Sequence, residues 1–212
     1  MRPAALYLAT LLSLVSGFTL PEGLSDGVYM ASYGPNGNEI HTLINSTVDK
    51  PFFAGTAELP SEADEVTTAG HGRHHRTQQR AVETWCGCGW VMDYRNCDTA
   101  VEDLKAQFDH DGRTLPGSAE RPVTLRPHTS YYAVRGNVVA FACNENPSVA
   151  VTSRLQMTAI AQAITRSCGW YVAGTGEYGR EGNVEYPLMG YMKHSAGLNF
   201  CRMAKSSPAH HC

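Results

Sequence analysis

The chain has 212 residues, 42 % of them hydrophobic, enough for one domain with a real core, or one domain plus an extension. Its formal net charge is −3 and no basic stripe runs through it, which argues against a nucleic-acid backbone as partner. Nine histidines against so small a charge would make the protein markedly more positive in acidic surroundings.

Residues 1–17 (MRPAALYLATLLSLVSG) start with the positive Arg2. An apolar stretch from Leu6 to Val15 follows, and Val15, Ser16 and Gly17 offer small residues near a cleavage point. This is the pattern of a signal peptide, and the run is too short for a membrane span. Its removal would take away only Arg2. Secretion turns cysteines into disulfides.

Residues 18–53 are expected to hold a hairpin. Val28 to Tyr33 and Glu39 to Ile44 alternate in polarity around Gly34-Pro35-Asn36-Gly37-Asn38, whose Asn-Gly pair suits a tight turn. A lone hairpin is marginal in water, so this one should dock on something larger. Asn45-Ser46-Thr47 is an N-glycosylation sequon, whereas Pro147 disqualifies Asn146-Pro147-Ser148. Residues 54–83 offer few apolar side chains to bury and read as a flexible linker or pro-segment. Arg80 is the nearest candidate for processing there. His71, His74 and His75, with His210 and His211, carry imidazoles that could take zinc, copper or nickel. In a glycine-containing polar segment they read as a solvated loop, and no metal or cofactor is assigned.

Residues 84–205 form the cysteine-containing unit. Thr84 to Met92 reads as a strand. Asn96-Cys97-Asp98 can cap a helix whose apolar face is Ala100, Val101, Leu104 and Phe108. Tyr131 to Val134 and Val138 to Cys143 flank an Arg135-Gly136-Asn137 turn. Ser153 caps a second helix to about Arg166, with Leu155, Ala159, Ile160, Ala163 and Ile164 inward. Gly169 to Gly174 and Leu188 to Met192 supply two more strands, and residues 206–212 are a polar tail. This order predicts an α+β fold, a disulfide-stabilised sandwich of two helices on a mainly antiparallel sheet, with the N-terminal β-hairpin as an extension.

All seven cysteines, Cys86, Cys88, Cys97, Cys143, Cys168, Cys201 and Cys212, lie in the second part of the chain. Each is a disulfide candidate, and the odd total leaves one thiol over or pairs it with a second chain. Cys86 and Cys88 are too close to bridge comfortably to each other. Cys97 and Cys168, at opposite ends of their helices, suit bridges to strands carrying Cys88, Cys143 or Cys201. A structural role fits Cys86-Gly87-Cys88 better than a redox or thiolate-metal pair.

No motif assigns catalysis. Asp109-His110-Asp111-Gly112 lacks the remaining ligands of a calcium loop and reads as a helix stop. His110 or His128 beside Asp109 or Asp111 could do acid–base work, but nothing in the pattern orients them. Trp85, Trp90, Tyr131, Tyr132, Trp170 and Tyr171 flank strands; most should pack in the core, and an exposed subset could stack on sugars or bind a protein.

The segments GFTLPEGLSDGVY, CGCG, NCD, AVEDLK, YYAVRGNVVAFACN, SCGWYVAGT and SAGLNFC together resemble the small secreted cysteine-containing effector proteins of filamentous fungi. A weaker similarity runs to the calcium-channel-blocking killer toxin of smut fungi, through Gly136-Asn137-Val138-Val139-Ala140-Phe141, Cys168-Gly169, Gly190-Tyr191-Met192 and Cys201. That family is an α/β sandwich with more cysteines and acts through exposed basic residues; Lys193 and Arg202 stand at comparable places without a transferred role. The resemblance implies a secreted, non-enzymatic, toxin-like virulence factor. Its partner would be an extracellular or host protein or a membrane component, with a disulfide-linked dimer as an option. The rivals are a small secreted hydrolase or nuclease and a cell-wall structural protein.

Overall fold

The computed structural model describes residues 17–45, 82–108, 122–179, 182 and 184–206. Strands β1 (Gly27–Tyr33) and β2 (Glu39–Asn45) are followed by β3 (Val82–Val91) and helix α1 (Tyr94–Ala106). Then come β4 (Val123–Leu125), β5 (Thr129–Arg135), β6 (Val138–Asn144), β7 (Ala150–Thr152) and α2 (Arg154–Cys168). β8 (Val172–Tyr178), β9 (Leu188–Lys193) and the short α3 (Phe200–Met203) complete the order. The fold is α+β. Seven strands form one antiparallel sheet in the order β2-β1-β5-β6-β9-β8-β3, and β4 pairs with β7 in a small second sheet.

The turns follow from their residues. Between β1 and β2, Gly37 takes φ +77°, and the amide of Gly34 donates to Asn38 O at 2.8 Å. That left-handed conformation costs glycine nothing. β1 then pairs with β5 from Gly27↔Val134 to Ser32↔Thr129, so residues 27–45 and the cysteine-bearing strands share one sheet.

Successive strand residues face opposite sides. On one side Gly174 and Gly176 lie under Ile164 and Ile160 of α2, and Tyr191 reaches Thr165. On the other side Phe141 packs on Phe200 of α3 at 5.5 Å, and Cys143 is bonded to Cys201. The two long helices therefore cover one face. α3 and the N-terminal stretch cover part of the other. There Tyr29, Tyr132 and Phe200 stack in series at 5.2 Å, and Phe18 stacks on Tyr33 at 4.8 Å. The first described residues are latched to the last: Leu20 N donates to Leu198 O at 2.9 Å, Gly197 N to Leu20 O at 3.0 Å, and Tyr33 Oη to Gly17 O at 3.0 Å.

Helix α1 starts at Asp93, whose carboxylate accepts from Asn96 N at 3.0 Å, three residues before the cap read from Asn96. Asp93 holds an extended backbone immediately after β3, which is what an N-cap needs. Ser153 caps α2, accepting from Gln156 N at 3.2 Å. The inward stripe of α2 is Met157, Ile160, Ile164 and Cys168 at spacings of three and four. Leu155 is off that stripe and 65 % exposed, which corrects the inward placement expected for it. The helices are joined to each other and to the sheet by ion pairs: Arg135 Nε–Asp103 Oδ2 at 2.6 Å and Arg154 Nη2–Glu102 Oε2 at 2.6 Å.

Candidate binding surface

Two disulfides have both partners among the described residues. Cys86–Cys168 ties β3 to the end of α2, and Cys143–Cys201 ties β6 to α3. Cys88 is also disulfide-bonded. Cys97 departs from the expectation that it bridges a helix to a strand: its thiol is buried and unpaired. Cys97 lies in the first turn of α1 and lines, with Tyr191, the groove between the two long helices. Burial, with Asp98 adding repulsion, pushes that thiol up to about 12.

The Cys86–Cys168 bond stands at the base of an aromatic rim. Past Gly87, β3 bulges until Val91 pairs with Val172, with Gly89 at φ +85°. The bulge projects Trp90 and Val91 into solvent. Across the pairing, α2 ends at Gly169, and Trp170 and Tyr171 form the turn into β8. Trp170 is 76 % exposed. Tyr171 has φ 58°, a strained conformation for a bulky side chain, which persists only where the surroundings over-determine it. Three contacts do so. Its carbonyl accepts from Met92 N at 2.9 Å, its hydroxyl donates to Asp98 Oδ2 at 3.3 Å, and its ring lies 6.0 Å from those of Tyr94 and Trp170. The Arg95 guanidinium lies over Tyr94 at 5.4 Å.

Each side of the rim opens on a depression. On the helix side a groove of about 170 Å³ runs between α1 and α2 past Asp98, Val101, Thr165 and Tyr191. Burial raises the Asp98 carboxyl, partly offset by the hydrogen bond from Tyr171 and reinforced by Glu102. Burial likewise takes the Tyr191 phenol to about 12. On the α3 side a cleft of about 330 Å³ is lined by Trp85, Cys88, Trp90, Met192, Met203 and Ala204. The Lys205 ammonium lies over Trp85 at 4.9 Å and pairs with Glu177.

A second constellation escaped the sequence. Glu39 Oε2 accepts from Thr19 N at 2.9 Å and lies 3.4 Å from His41 Nε2; His41 Nδ1 is 2.9 Å from Tyr132 Oη. Glu39 and His41 alternate on β2 and so share a face, the signal from which the pair was readable. This carboxylate–imidazole–hydroxyl chain ends on a phenol that is 0 % exposed and that burial holds protonated. It fastens the N-terminal stretch, β2 and β5 together and offers no nucleophile to solvent.

The remaining candidates are dispersed. Asn45 is the last residue of β2. His128 is exposed in a left-handed turn before β5. His71, His74, His75, His110, Asp109, Asp111, His210, His211 and Cys212 lie outside the described residues. Among the described residues no group of three or more His, Cys, Asp or Glu is placed to hold a metal ion, and no helix is long and apolar enough to cross a membrane. The chain matches no family model, no curated protein and no solved structure.

Proposed function

We propose that the protein is secreted and acts outside the cell as a non-enzymatic, effector- or toxin-like binding protein of the fungal type, its aromatic rim meeting a host or competitor target. The observation that carries this reading is the rim itself: Trp90, Val91, Tyr94 and Trp170 are all exposed at one end of a sheet that a disulfide cross-links directly beneath them. Rigid exposed aromatics at low entropic cost are what binding hot spots use, and contiguous apolar surface of this kind marks interaction sites. The leader of residues 1–17, the sequon at Asn45 and the disulfides support the secretory route and a glycosylated product. The same reading takes the two helices and the sheet as a toxin-like sandwich, with the hairpin as its extension.

Fluorescently labelled protein, purified from culture fluid, should bind saturably to intact target cells. Trp170→Ala should weaken that binding by about thirtyfold, the scale of a 2 kcal/mol hot spot, without shifting the unfolding midpoint. Saturable binding untouched by Trp170→Ala and Trp90→Ala would remove the rim from the account. Turnover of RNA or polysaccharide by the same preparation would favour the hydrolase rival.

A further inference from the structure

The groove on the helix side of the rim selects its occupant by chemistry. Helix α1 gives it Asp98 and Glu102, α2 gives Thr165, and Trp170, Tyr171 and Tyr191 supply its rings. The hydroxyls among these spend their protons inside the protein. Tyr171 Oη donates to Asp98 Oδ2 at 3.3 Å, and Thr165 Oγ1 donates to Ala161 O at 3.0 Å. Tyr191 Oη, 3.4 Å from Thr165 Oγ1, is thereby the donor of that pair. The groove presents lone pairs, so a ligand that satisfies it must bring donors. The carboxylates add a demand for positive charge. Glu102 is already held by Lys105 and by Arg154 Nη2. Asp98 has the Tyr171 hydroxyl as its side-chain partner and, among the described residues, no basic group that draws its carboxyl down. We propose, on the footing of the rim as a binding surface, that this groove is the socket for an arginine side chain of the target protein, its guanidinium stacked on Trp170 and donating to Asp98.

Size and surface narrow the choice to arginine. At about 170 Å³ the groove is smaller than the roughly 300–1,000 Å³ that drug-sized ligands occupy, and it suits the head of one side chain. A guanidinium is planar, carries donors and no acceptor, and is more weakly hydrated than the lysine ammonium, so it gives up less water to enter. The open face it needs is there: Trp170 is 76 % exposed, and its ring borders that of Tyr171 at 6.0 Å. Both the π face and the carboxylate attract a cation. The rim already displays the same contact internally, since the Arg95 guanidinium lies over Tyr94 at 5.4 Å and is held there by a 2.8 Å bond from Nε to Tyr94 Oη. A neutral sugar also brings donors and an apolar face, but it gains nothing from the charge on Asp98.

The indole N–H resonance of Trp170, assigned by its loss in Trp170→Phe, reads the groove in the full chain. N-acetyl-arginine amide should shift it saturably, with a dissociation constant on the order of a millimolar, the scale of one ring contact plus one exposed charge pair. N-acetyl-citrulline amide has the same shape without the charge and should bind about tenfold more weakly. Equal binding of the two probes overturns the proposal and needs no variant. Asp98→Asn keeps an acceptor for the Tyr171 hydroxyl. It should weaken the arginine probe about tenfold and leave the citrulline probe unchanged; an unchanged arginine affinity overturns the role of Asp98. A saturable shift by chitotriose, with none by the arginine probe, overturns the proposal in favour of a glycan. Binding of labelled protein to cells separates this inference from the reading beneath it. Asp98→Asn should lose cell binding as Trp170→Ala does. Loss in Trp170→Ala with full binding in Asp98→Asn removes the arginine and leaves the rim standing. Cell binding indifferent to both variants removes the rim and the socket together.

Discussion

At the scale of single residues the tightest constraint is Gly190 in β9. A Cβ there would stand 2.3 Å from Gly174 O and 2.7 Å from Thr175 Cγ2, so backbone of the neighbouring strand would have to move. Gly190→Ala should cost about 3 kcal/mol, the upper range for overpacking, read as a lowered denaturant midpoint with unchanged slope. Cys97 gives a pH signature. Its folded value of about 12 lies above the ordinary 9.0 of the unfolded thiol. The unfolded state therefore loses its proton first as pH rises. Stability from keeping this thiol neutral is fully present below pH 9.0 and is lost progressively toward about 12. Tyr191, raised to about 12 by burial, acts in the same direction. Thermal unfolding followed from pH 8 upward should show a falling midpoint, with a shallower fall in Cys97→Ala after allowance for the methyl-sized change. In the native state at neutral pH, Cys97 should resist iodoacetamide, because the thiolate is the nucleophile.

At the scale of elements the two long helices depend on their first turns. Asp93→Ala removes the acceptor for Asn96 N and should cost about 1 kcal/mol; Asp93→Asn, which keeps an oxygen in place, should recover most of it. Much of this level was legible beforehand. Helix periodicity located Ala100, Leu104, Ile160 and Ile164, and glycine-bearing turns marked both hairpins, because these signals are local. Caps were legible in part: Ser153 was read correctly beside Thr152, whereas Asp93 lost to Asn96 because both are good caps a turn apart. The rim was harder to see. Trp90 and Trp170 sit in strand-like contexts, and only the bulge after Gly87 and the left-handed Tyr171 turn them outward, neither of which has a residue pattern of its own. The pairs β4 and β7 are three residues each, too short for any period to show.

At the scale of the molecule the sheet order is the least local fact and the least readable. β2 and β3 follow one another in the chain but occupy opposite edges of seven strands, six spacings or roughly 29 Å apart. Residues 46–81 join them, and the part of the chain before them holds no cysteine. The hairpin thus belongs to the sheet through non-covalent contacts, among them its β1–β5 ladder, the Tyr29–Tyr132 stack, the latch to Leu198 and the Glu39–His41–Tyr132 chain. No covalent bond other than the connecting segment enforces which molecule's hairpin fills the place beside β5. Two molecules can exchange hairpins with every native contact preserved, the condition for domain swapping. Refolding at high protein concentration, with disulfides kept intact, should yield a dimer that reducing agent does not dissolve and that dilution after brief denaturation does; a strictly monomeric product at all concentrations would show the hairpin to be captured by its own chain before any neighbour can offer one.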